Sequence, residues 1–206
     1  MSIRERVFAA LYDPMSATAE RKFGAESKRK LLANARGRVL EIGVGTGLSF
    51  PHYPQDVELV GVEPSLPMLR RAQQRAAELG RDVTLVEAPA EKLPFEDGSF
   101  DTTVSLAVLC SVDDPARVLD ELRRVLRPGG RFLFIEHVRS DDPESARRQD
   151  RYARPWGWFA CGCHPNRDTL GSIEAAGFEV VEVEHEERPE VPRLVRPHVR
   201  GWGQAA

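Results

Sequence analysis

The chain has 206 residues, 41% of them hydrophobic and 30% charged, and its formal net charge is −3 at pH 7. This balance is typical of a soluble globular domain and supplies no overall positive charge for binding nucleic acid. No apolar run approaches the roughly 20 residues that a transmembrane helix needs, and the N-terminus lacks the apolar core of a secretory signal. Three cysteines without an export signal argue against a disulfide framework. We therefore predict a cytoplasmic protein in which residues 1–206 form a single domain.

The first 36 residues are predicted to form a helical cap. Apolar side chains recur among mixed charges at Val7, Phe8, Leu11 and Tyr12, as in one or two amphipathic helices. We expect residues 1–36 to lie over one edge of the domain as a cap or lid.

The pattern changes at Gly37, where short β-branched runs begin to alternate with helical stretches. Strands are predicted at "RVLEIG", "VELVGVE", "VTLVEA", "FDTTVSLAVL" and "RFLFIEHV", and helices at "PMLRRAQQRAAEL" and "PARVLDELRRVL". Pro128, Gly129 and Gly130 are expected to end the second of these helices before the fifth strand begins. Strands that alternate with helices indicate βαβ units, so we predict an α/β fold with a parallel sheet.

The last third of the chain is less regular. Residues 139–167 are arginine-rich at first and aromatic later, and no regular element is predicted for them; we expect an insertion over the functional site. "TLGSIEAAG" predicts a helix that ends near Gly177. "FEVVEVEHEE" and "RLVRPHVRGW" predict two strands joined by a turn around Pro189 and Pro192.

A glycine-rich turn follows the first predicted strand. Gly43, Gly45 and Gly47 form G-x-G-x-G, with Glu41 just before them. A dinucleotide site has its third glycine one place later, where the pyrophosphate meets a helix N-terminus. The tighter spacing favours a ligand with a ribose and an amino-acid tail over a nicotinamide cofactor.

Glu63 ends the second predicted strand, where an acid can accept hydrogen bonds from two ribose hydroxyls. Pro64 and Ser65 then open a helix, so capping of that helix is the alternative role for the acid. Met68, one turn into the helix, suits either an adenine face or the core.

Four motifs in order, "VLEIGVGTG", "GVEPSLPMLRRA", "AEKLPFEDGSFD" and "ELRRVLRPGGRFLF", resemble those of class I S-adenosylmethionine-dependent methyltransferases, in the group that includes the quinone-pathway enzymes. The resemblance implies a Rossmann-like, seven-stranded, mostly parallel sheet of order 3-2-1-4-5-7-6 with helices on both faces and the last strand antiparallel. It also implies S-adenosylmethionine as the cofactor and S-adenosylhomocysteine as its product.

The resemblance further implies roles for single residues. Glu41 and the Gly43–Gly47 loop would hold the methionine moiety, Glu63 the ribose, and Leu106 would lie beside the sulfonium. The full set of expected cofactor residues is Glu41, Gly43, Gly45, Gly47, Glu63, Pro64, Met68, Ala90, Glu91 and Leu106. Many relatives carry an aspartate where this chain has Pro89, so backbone groups and apolar packing would hold the adenine here.

The methyl acceptor should bind beyond the carboxyl ends of the strands. His137 ends the fifth strand, and an imidazole titrates near neutral pH, so it is the candidate catalytic base; the alternative is a histidine satisfied by hydrogen bonds under the insertion. The expected acceptor pocket comprises Tyr12, Cys110, His137, Trp156 and Trp158.

The letters "CGCH" raise the question of a metal. Cys161, Cys163 and His164 offer ligand atoms, but C-x-C-H without a second cysteine pair is poor spacing for zinc. We predict no metal site, and we expect Cys110 to belong to the core rather than to act as a nucleophile.

Outside the shared core, "LAVLCSV", "EHV", Gly162–Cys163 before "NRDTL", and "LVRPHVRG" resemble the methyltransferase-like thiol S-methyltransferases, which implies a small, apolar acceptor such as a thiol. The animal members of that group carry a hydrophobic leader, and this chain begins almost at the domain, so membrane attachment is not expected to carry over.

Three alternatives remain open. "YDPMS" and "VGTGLSFPHYP" resemble bacterial phosphatidylethanolamine N-methyltransferases, and the arginines and aromatics of residues 139–167 suit peripheral contact with a membrane. A quinone-type C-methyltransferase is the second alternative. A non-catalytic, cofactor-binding regulatory protein is the third. The sequence does not indicate an oligomeric state.

Overall fold

The computed structural model describes residues 24–160 and 162–205. They form one seven-stranded sheet, so the α/β prediction is confirmed. The strands are β1 (Arg38–Ile42), β2 (Glu58–Val62), β3 (Val83–Val86), β4 (Phe100–Leu106), β5 (Leu126–His137), β6 (Phe178–Glu187) and β7 (Pro197–Ala205). The helices are α1 (Ala25–Leu32), α2 (Leu66–Glu78), α3 (Pro115–Val125), α4 (Pro143–Phe159) and α5 (Thr169–Ala175), with 3-10 turns at Phe50–His52 and Arg193–Val195.

The strand order is β3-β2-β1-β4-β5-β7-β6, as the family resemblance implies. The first five strands pair in parallel, while β7 is antiparallel to both of its neighbours, β5 and β6. The carboxyl ends of β1, β2, β4 and β5 therefore meet at one edge, which is where open α/β sheets bind ligands.

The two faces of the sheet bury different clusters. In β1, Leu40 and Ile42 pack on the face covered by α3, whereas Val39 packs on the opposite face with Leu31 and Leu32 of α1. This follows from the alternation of side chains along a strand. Both faces are apolar because helices cover both, as is usual for a parallel sheet.

Three helices begin at an aspartate that caps them. The side chains of Asp114, Asp142 and Asp168 accept hydrogen bonds from backbone amides three residues on, at 3.0, 2.7 and 2.9 Å. Each such cap satisfies an amide that the first helical turn leaves without a partner.

Helix α4 occupies 17 residues of the 139–167 segment, for which the sequence pattern indicates no regular element. Pro155 lies inside this helix and Gly157 near its end, and both residues disfavour helix when considered locally. Tertiary contacts outweigh that preference. The Gln149 side chain donates to the carbonyls of Val138 and Leu194 at 3.1 and 3.0 Å and anchors the helix to the end of β5.

Two strand boundaries also differ from the predictions. Strand β5 begins at Leu126, before the turn predicted at residues 128–130. Phe100 of β4 pairs with Leu126, whereas Thr102 pairs with Arg131. This shift in register accommodates residues 127–130 within the strand. Strand β7 begins at Pro197, after a 3-10 turn.

Of the predicted cap, residues 1–23 lie outside the described residues, and α1 is the part that the structure describes. Within residues 24–160 and 162–205, no helix combines the length and apolar character that crossing a bilayer requires.

Candidate active site

The glycine loop follows β1 and contains three residues with left-handed backbone conformation. Gly43, Gly45 and Gly47 have φ angles of 58°, 56° and 76°, which side chains adopt only at a cost. A Cβ at Gly43 would lie 2.6 Å from Val108 Cγ2, and one at Gly47 would overlap Phe50 Cε2. A Cβ at Gly45 would meet no atom of the described chain within 4 Å. Two glycines thus permit packing, and Gly45 leaves space at the cleft.

Glu63 joins the end of β2 to this loop. Its Oε2 accepts a hydrogen bond from the Gly45 amide at 3.0 Å, and its Oε1 accepts one from the Ser65 amide at 2.8 Å. Burial raises the pKa of Glu63, while these two backbone bonds oppose the rise. A carboxylate offers about four acceptor positions, so each oxygen keeps capacity for a ligand hydroxyl. The helix-opening role and the ligand role are therefore compatible.

Glu41 lies beneath the loop and is 2% exposed. Its Oε2 accepts hydrogen bonds from Ser49 Oγ at 2.7 Å and from the Tyr53 hydroxyl at 2.9 Å. Burial raises the pKa of Glu41, and these two donors lower it only in part. Ser49 and Tyr53 were not among the predicted site residues, although both lie in the "SFPHY" that follows the loop.

An open cleft begins at the loop. Its lining comprises Lys28, Glu41, Gly43, Val44, Gly45, Thr46, Leu48, Ser49 and Leu106. The structure thus brings Leu106, at the end of β4, to the same cleft as the glycines and Glu41. Lys28 comes from α1, and no local sequence signal connects it with residues so far along the chain.

The remaining predicted cofactor residues follow β2 and β3 in the chain. Met68, in the first turn of α2, and Ala90 are buried, whereas Pro64 is exposed. Glu91 Oε1 accepts a hydrogen bond from the Asp113 amide at 3.3 Å. The structure thereby links Glu91 to the loop after β4.

A strained turn follows β4. Ala107 has a φ of 58° and is the one non-glycine residue with positive φ in the described part of the chain. Glu136 Oε1 accepts hydrogen bonds from Ser105 Oγ, the Val108 amide and the Leu109 amide at 2.6, 3.0 and 3.3 Å. Burial raises the pKa of Glu136. This buried acid from β5 therefore orders the turn that leads to Cys110.

Cys110, His137 and Cys163 meet beyond that turn, and all three are buried. His137 Nε2 lies 3.4 Å from Cys163 Sγ, and Trp156 Nε1 donates to the same sulfur at 3.0 Å. The contact between the two thiols lowers the pKa of Cys163, with further lowering from His137 and Trp156, and the same contact together with burial raises the pKa of Cys110. The His198 ring lies edge-on to His137, and burial lowers the pKa of His198 to about 3.

Backbone contacts hold the Cys163 segment against the Cys110 segment. Gly162 has a φ of 92°, and a Cβ there would lie 3.0 Å from the Ser111 carbonyl oxygen. The His164 amide donates to the Cys110 carbonyl at 2.7 Å. Arg167 Nη1 donates to the carbonyls of Leu109 and Val112 at 2.6 and 2.7 Å. These backbone contacts therefore set the distance between Cys110 and Cys163.

Of the other residues predicted for the acceptor pocket, one lies at the cysteine cluster and one lies on the surface. Trp156 contacts the cysteine cluster, whereas the Trp158 side chain lies on the outer surface of α4, and that residue is 75% exposed. Tyr12 and Cys161 lie outside the described residues.

Comparison with known proteins identifies the family of the chain. Residues 40–134 match the methyltransferase domain family. The chain is 31% identical over 202 residues to the Homo sapiens thiol S-methyltransferase TMT1A, covering 95% of this chain and 82% of that protein. It is 40% identical over 145 residues to the phosphatidylethanolamine N-methyltransferase of Cereibacter sphaeroides, covering 66% of this chain and 71% of that protein.

A solved structure of an S-adenosylmethionine-dependent methyltransferase from Thermotoga maritima matches with a TM-score of 0.70 at 27% identity, covering 98% of both chains. The family uses S-adenosylmethionine, and the open space at Gly45 together with the acceptor capacity of Glu63 fits that cofactor. Thiol S-methyltransferase TMT1A and the Thermotoga maritima structure both align along most of their own length and of this chain, so the chain belongs to the class I S-adenosylmethionine-dependent methyltransferases.

Proposed function

We propose that the protein transfers a methyl group from S-adenosylmethionine to the sulfur of a small, apolar thiol. The observation that carries this proposal is a buried cluster beyond the ends of β4 and β5. Cys110, Cys163 and Val195 form the cluster, and Trp156 and Val191 pack against it. The cluster is largely apolar, yet the Trp156 N–H and the His137 imidazole both contact the sulfur of Cys163, so this part of the fold already accommodates a polarisable sulfur.

The proposed cofactor residues surround the open cleft. Glu41 and the loop from Gly43 to Gly47 border the methionine moiety, and Leu106 borders the sulfonium. Glu63 accepts the ribose hydroxyls with the lone pairs that its two backbone bonds leave free. The adenine lies among Pro64, Met68, Ala90 and Glu91.

Bound S-adenosylmethionine supplies a methyl carbon on a positively charged sulfur. The acceptor reacts as the thiolate, since the thiol itself is a weak nucleophile. Its sulfur forms a bond to the methyl carbon while the bond from that carbon to the sulfonium breaks, which yields a thioether and S-adenosylhomocysteine. The role of the chain is to align the two sulfurs and exclude water. We propose that His137 favours the thiolate form of the acceptor.

The test is an acceptor panel with the purified protein and saturating S-adenosylmethionine. Alkyl and aryl thiols, primary amines, phosphatidylethanolamine in vesicles and a demethylated quinol are compared, and both S-adenosylhomocysteine and the methylated product are measured by mass spectrometry. We expect turnover with apolar thiols. A protein that binds the cofactor but methylates none of the thiols contradicts the proposal.

A second candidate is methylation of a phospholipid amine. It is favoured by the outer surface of α4, where Tyr152, Trp158 and Phe159 are 46%, 75% and 66% exposed. Arg147, Arg151 and Arg154 are exposed on the same helix. Aromatic rings and arginines together suit contact with an anionic lipid surface. Product from the phosphatidylethanolamine vesicles, with none from the thiols, would favour this candidate.

A further inference from the structure

Cys110, His137 and Cys163 form a group that the methyl-transfer chemistry itself does not require. One ligand atom from each lies within 4.8 Å of the other two. The three residues come from different segments, namely the turn after β4, the end of β5 and the loop after α4. Two thiolates and one imidazole with an open fourth position is a known ligand set for catalytic zinc.

We propose that Cys110, His137 and Cys163 bind a zinc ion, and that its open position takes the sulfur of the acceptor thiol. The second half of this proposal rests on the proposed function, whereas the metal site itself does not. Zinc bonds of about 2.3 Å to sulfur and 2.0 Å to nitrogen in tetrahedral geometry separate the two ligand atoms by about 3.5 Å. The His137 Nε2 to Cys163 Sγ distance is 3.4 Å.

Two buried polar atoms near the cluster have no hydrogen-bond partner within the described residues. His137, 6% exposed, has no hydrogen-bond partner at Nδ1 within the described residues, and neither has Oε2 of the fully buried Glu136. Buried polar atoms without partners are rare in folded proteins. A ligating histidine typically donates its second N–H to an acceptor or an ordered water. An ion on Nε2 would place the ring proton of His137 on Nδ1, and an ordered water would have to accept it.

The surroundings also resemble the outer shell of a thiolate site. Trp156 Nε1 donates to Cys163 Sγ at 3.0 Å, and such N–H donors orient and tune a ligand sulfur. Val191, Val195 and Trp156 surround the ligand atoms with apolar groups. Apolar surroundings disfavour water at the fourth position and favour an apolar thiol there.

The segment that carries Cys110 borders the cofactor cleft. Val108, two residues before Cys110, packs against the position where Gly43 would carry a Cβ. Leu106, at the start of the same turn, lines the cleft. A sulfur held by the proposed ion would therefore be close to the predicted position of the sulfonium.

The ion would change how the thiolate arises. A thiol that coordinates zinc loses its proton outright, and that proton passes to water. The bound sulfur then forms its bond to the methyl carbon as the carbon–sulfonium bond breaks, and the neutral thioether leaves the ion. No electron is gained or lost. In this arrangement His137 is a ligand rather than the base that the sequence suggests.

The proposed ligands differ from the sequence motif "CGCH". His164, the histidine of that motif, is exposed and contributes only its backbone amide to the Cys110 segment. His137 instead comes from β5. His164→Ala is therefore the matched control, because it removes an imidazole from the same segment without touching the proposed ligands.

The test begins with metal content. Protein purified under reducing conditions is loaded with zinc, freed of excess ion, and measured by plasma mass spectrometry. We expect about one zinc per chain for the wild type and for His164→Ala, and a loss of at least 10-fold for Cys110→Ser and Cys163→Ser. Cobalt loading should give a sulfur-to-cobalt absorption band that weakens in each cysteine variant. Trp156→Phe should lower zinc affinity by about 10-fold while the ligands stay in place.

Cofactor binding by calorimetry establishes that each variant is folded. A folded, cofactor-binding, reduced wild type that takes up no zinc or cobalt overturns the site, and so does equal zinc in the cysteine variants. The site is also overturned if Cys110 and Cys163 form a disulfide in air and the protein binds no metal after that disulfide is reduced.

Turnover separates this proposal from the proposed function. Thiol methylation that falls at least 10-fold after chelation and returns with added zinc supports the role of the ion. Full thiol methylation after complete metal removal overturns that role and leaves the proposed function standing. Zinc bound at one per chain without methylation of any thiol supports the site and contradicts the proposed function.

Discussion

The Gly45 amide donates a hydrogen bond of 3.0 Å to Oε2 of Glu63, which ties the glycine loop after β1 to the end of β2. The Ser65 amide binds the other oxygen of the same carboxylate. Two regions expected to hold opposite parts of the cofactor are thus fixed to each other by one side chain. This bond arranges the site before any ligand arrives.

Replacement of Glu63 by alanine should weaken cofactor binding strongly. The change removes the proposed ribose acceptor and leaves the Gly45 amide without its partner. Hydrogen bonds to charged groups contribute about 1.5–3 kcal/mol each, so we expect an affinity loss of about 10- to 100-fold or more by calorimetry. Glu63→Gln keeps one carbonyl acceptor and should lose less. Equal affinities in wild type and Glu63→Ala would contradict the assignment.

Alanine at Gly45 should reduce cofactor affinity more than stability. The position has a φ of 56° and open space, so the fold bears only the strain of a left-handed alanine, about 1 kcal/mol. Gly80 is a matched control, since its φ is 60° and a Cβ there also meets no described atom within 4 Å. We expect similar melting temperatures for Gly45→Ala and Gly80→Ala, with weakened cofactor binding only in the first. Unchanged binding by Gly45→Ala would place the ligand elsewhere.

Glu41→Gln should make the protein more stable and less able to bind the cofactor. Burial raises the folded-state pKa of Glu41 above its unfolded value, so folding stability falls as pH rises from the unfolded value through the folded one. Above the folded-state pKa of Glu41 the wild type has lost this stability, about 1.4 kcal/mol per unit of pKa difference, whereas glutamine does not titrate. The gain in melting temperature should shrink as pH falls toward the unfolded pKa. Cofactor affinity should drop because the carboxylate at the cleft is gone.

Glu121→Gln supplies a control of opposite sign. Glu121 is also buried, but its hydrogen bond with Arg124 lowers its pKa, so its contribution is present at neutral pH and is lost as pH falls through the folded pKa. This variant should melt below the wild type at neutral pH. If Glu41→Gln is less stable than the wild type even at alkaline pH, the account of Glu41 is wrong.

Removal of the exposed aromatics of α4 tests the lipid candidate. Trp158→Ala with Phe159→Ala should reduce binding to vesicles of phosphatidylethanolamine and phosphatidylglycerol in a sedimentation assay, because these rings are the largest exposed apolar groups of that helix. Leu79→Ala, another exposed apolar residue, is the control and should bind like the wild type. Methylation of small thiols should be unchanged in both. Equal vesicle binding by all three proteins would count against membrane contact through α4.

Much of the region around the glycine loop could be predicted from short stretches of the sequence. The strand before Gly43, the glycine spacing and the acid at the end of the next strand are adjacent in sequence, and a βαβ unit leaves little freedom in how they meet. The partners of Glu41 were missed, because a serine and a tyrosine in a loop do not indicate by themselves which buried carboxylate they bind. Lys28 was missed for a related reason, since only the packing of α1 on the sheet brings it to the cleft.

The sequence by itself determined the α/β class, the strand order through its family motifs, and the place of the glycine loop, because these depend on local periodicity and on neighbouring segments. Only the tertiary structure decided that residues 143–159 form a helix in spite of Pro155, since distant carbonyls anchor it at Gln149. It also decided that Cys163 meets Cys110 and His137 rather than His164. Those three side chains are 27 and 26 residues apart in sequence, and the pairing of β4 with β5 and the close approach at Gly162 bring them together.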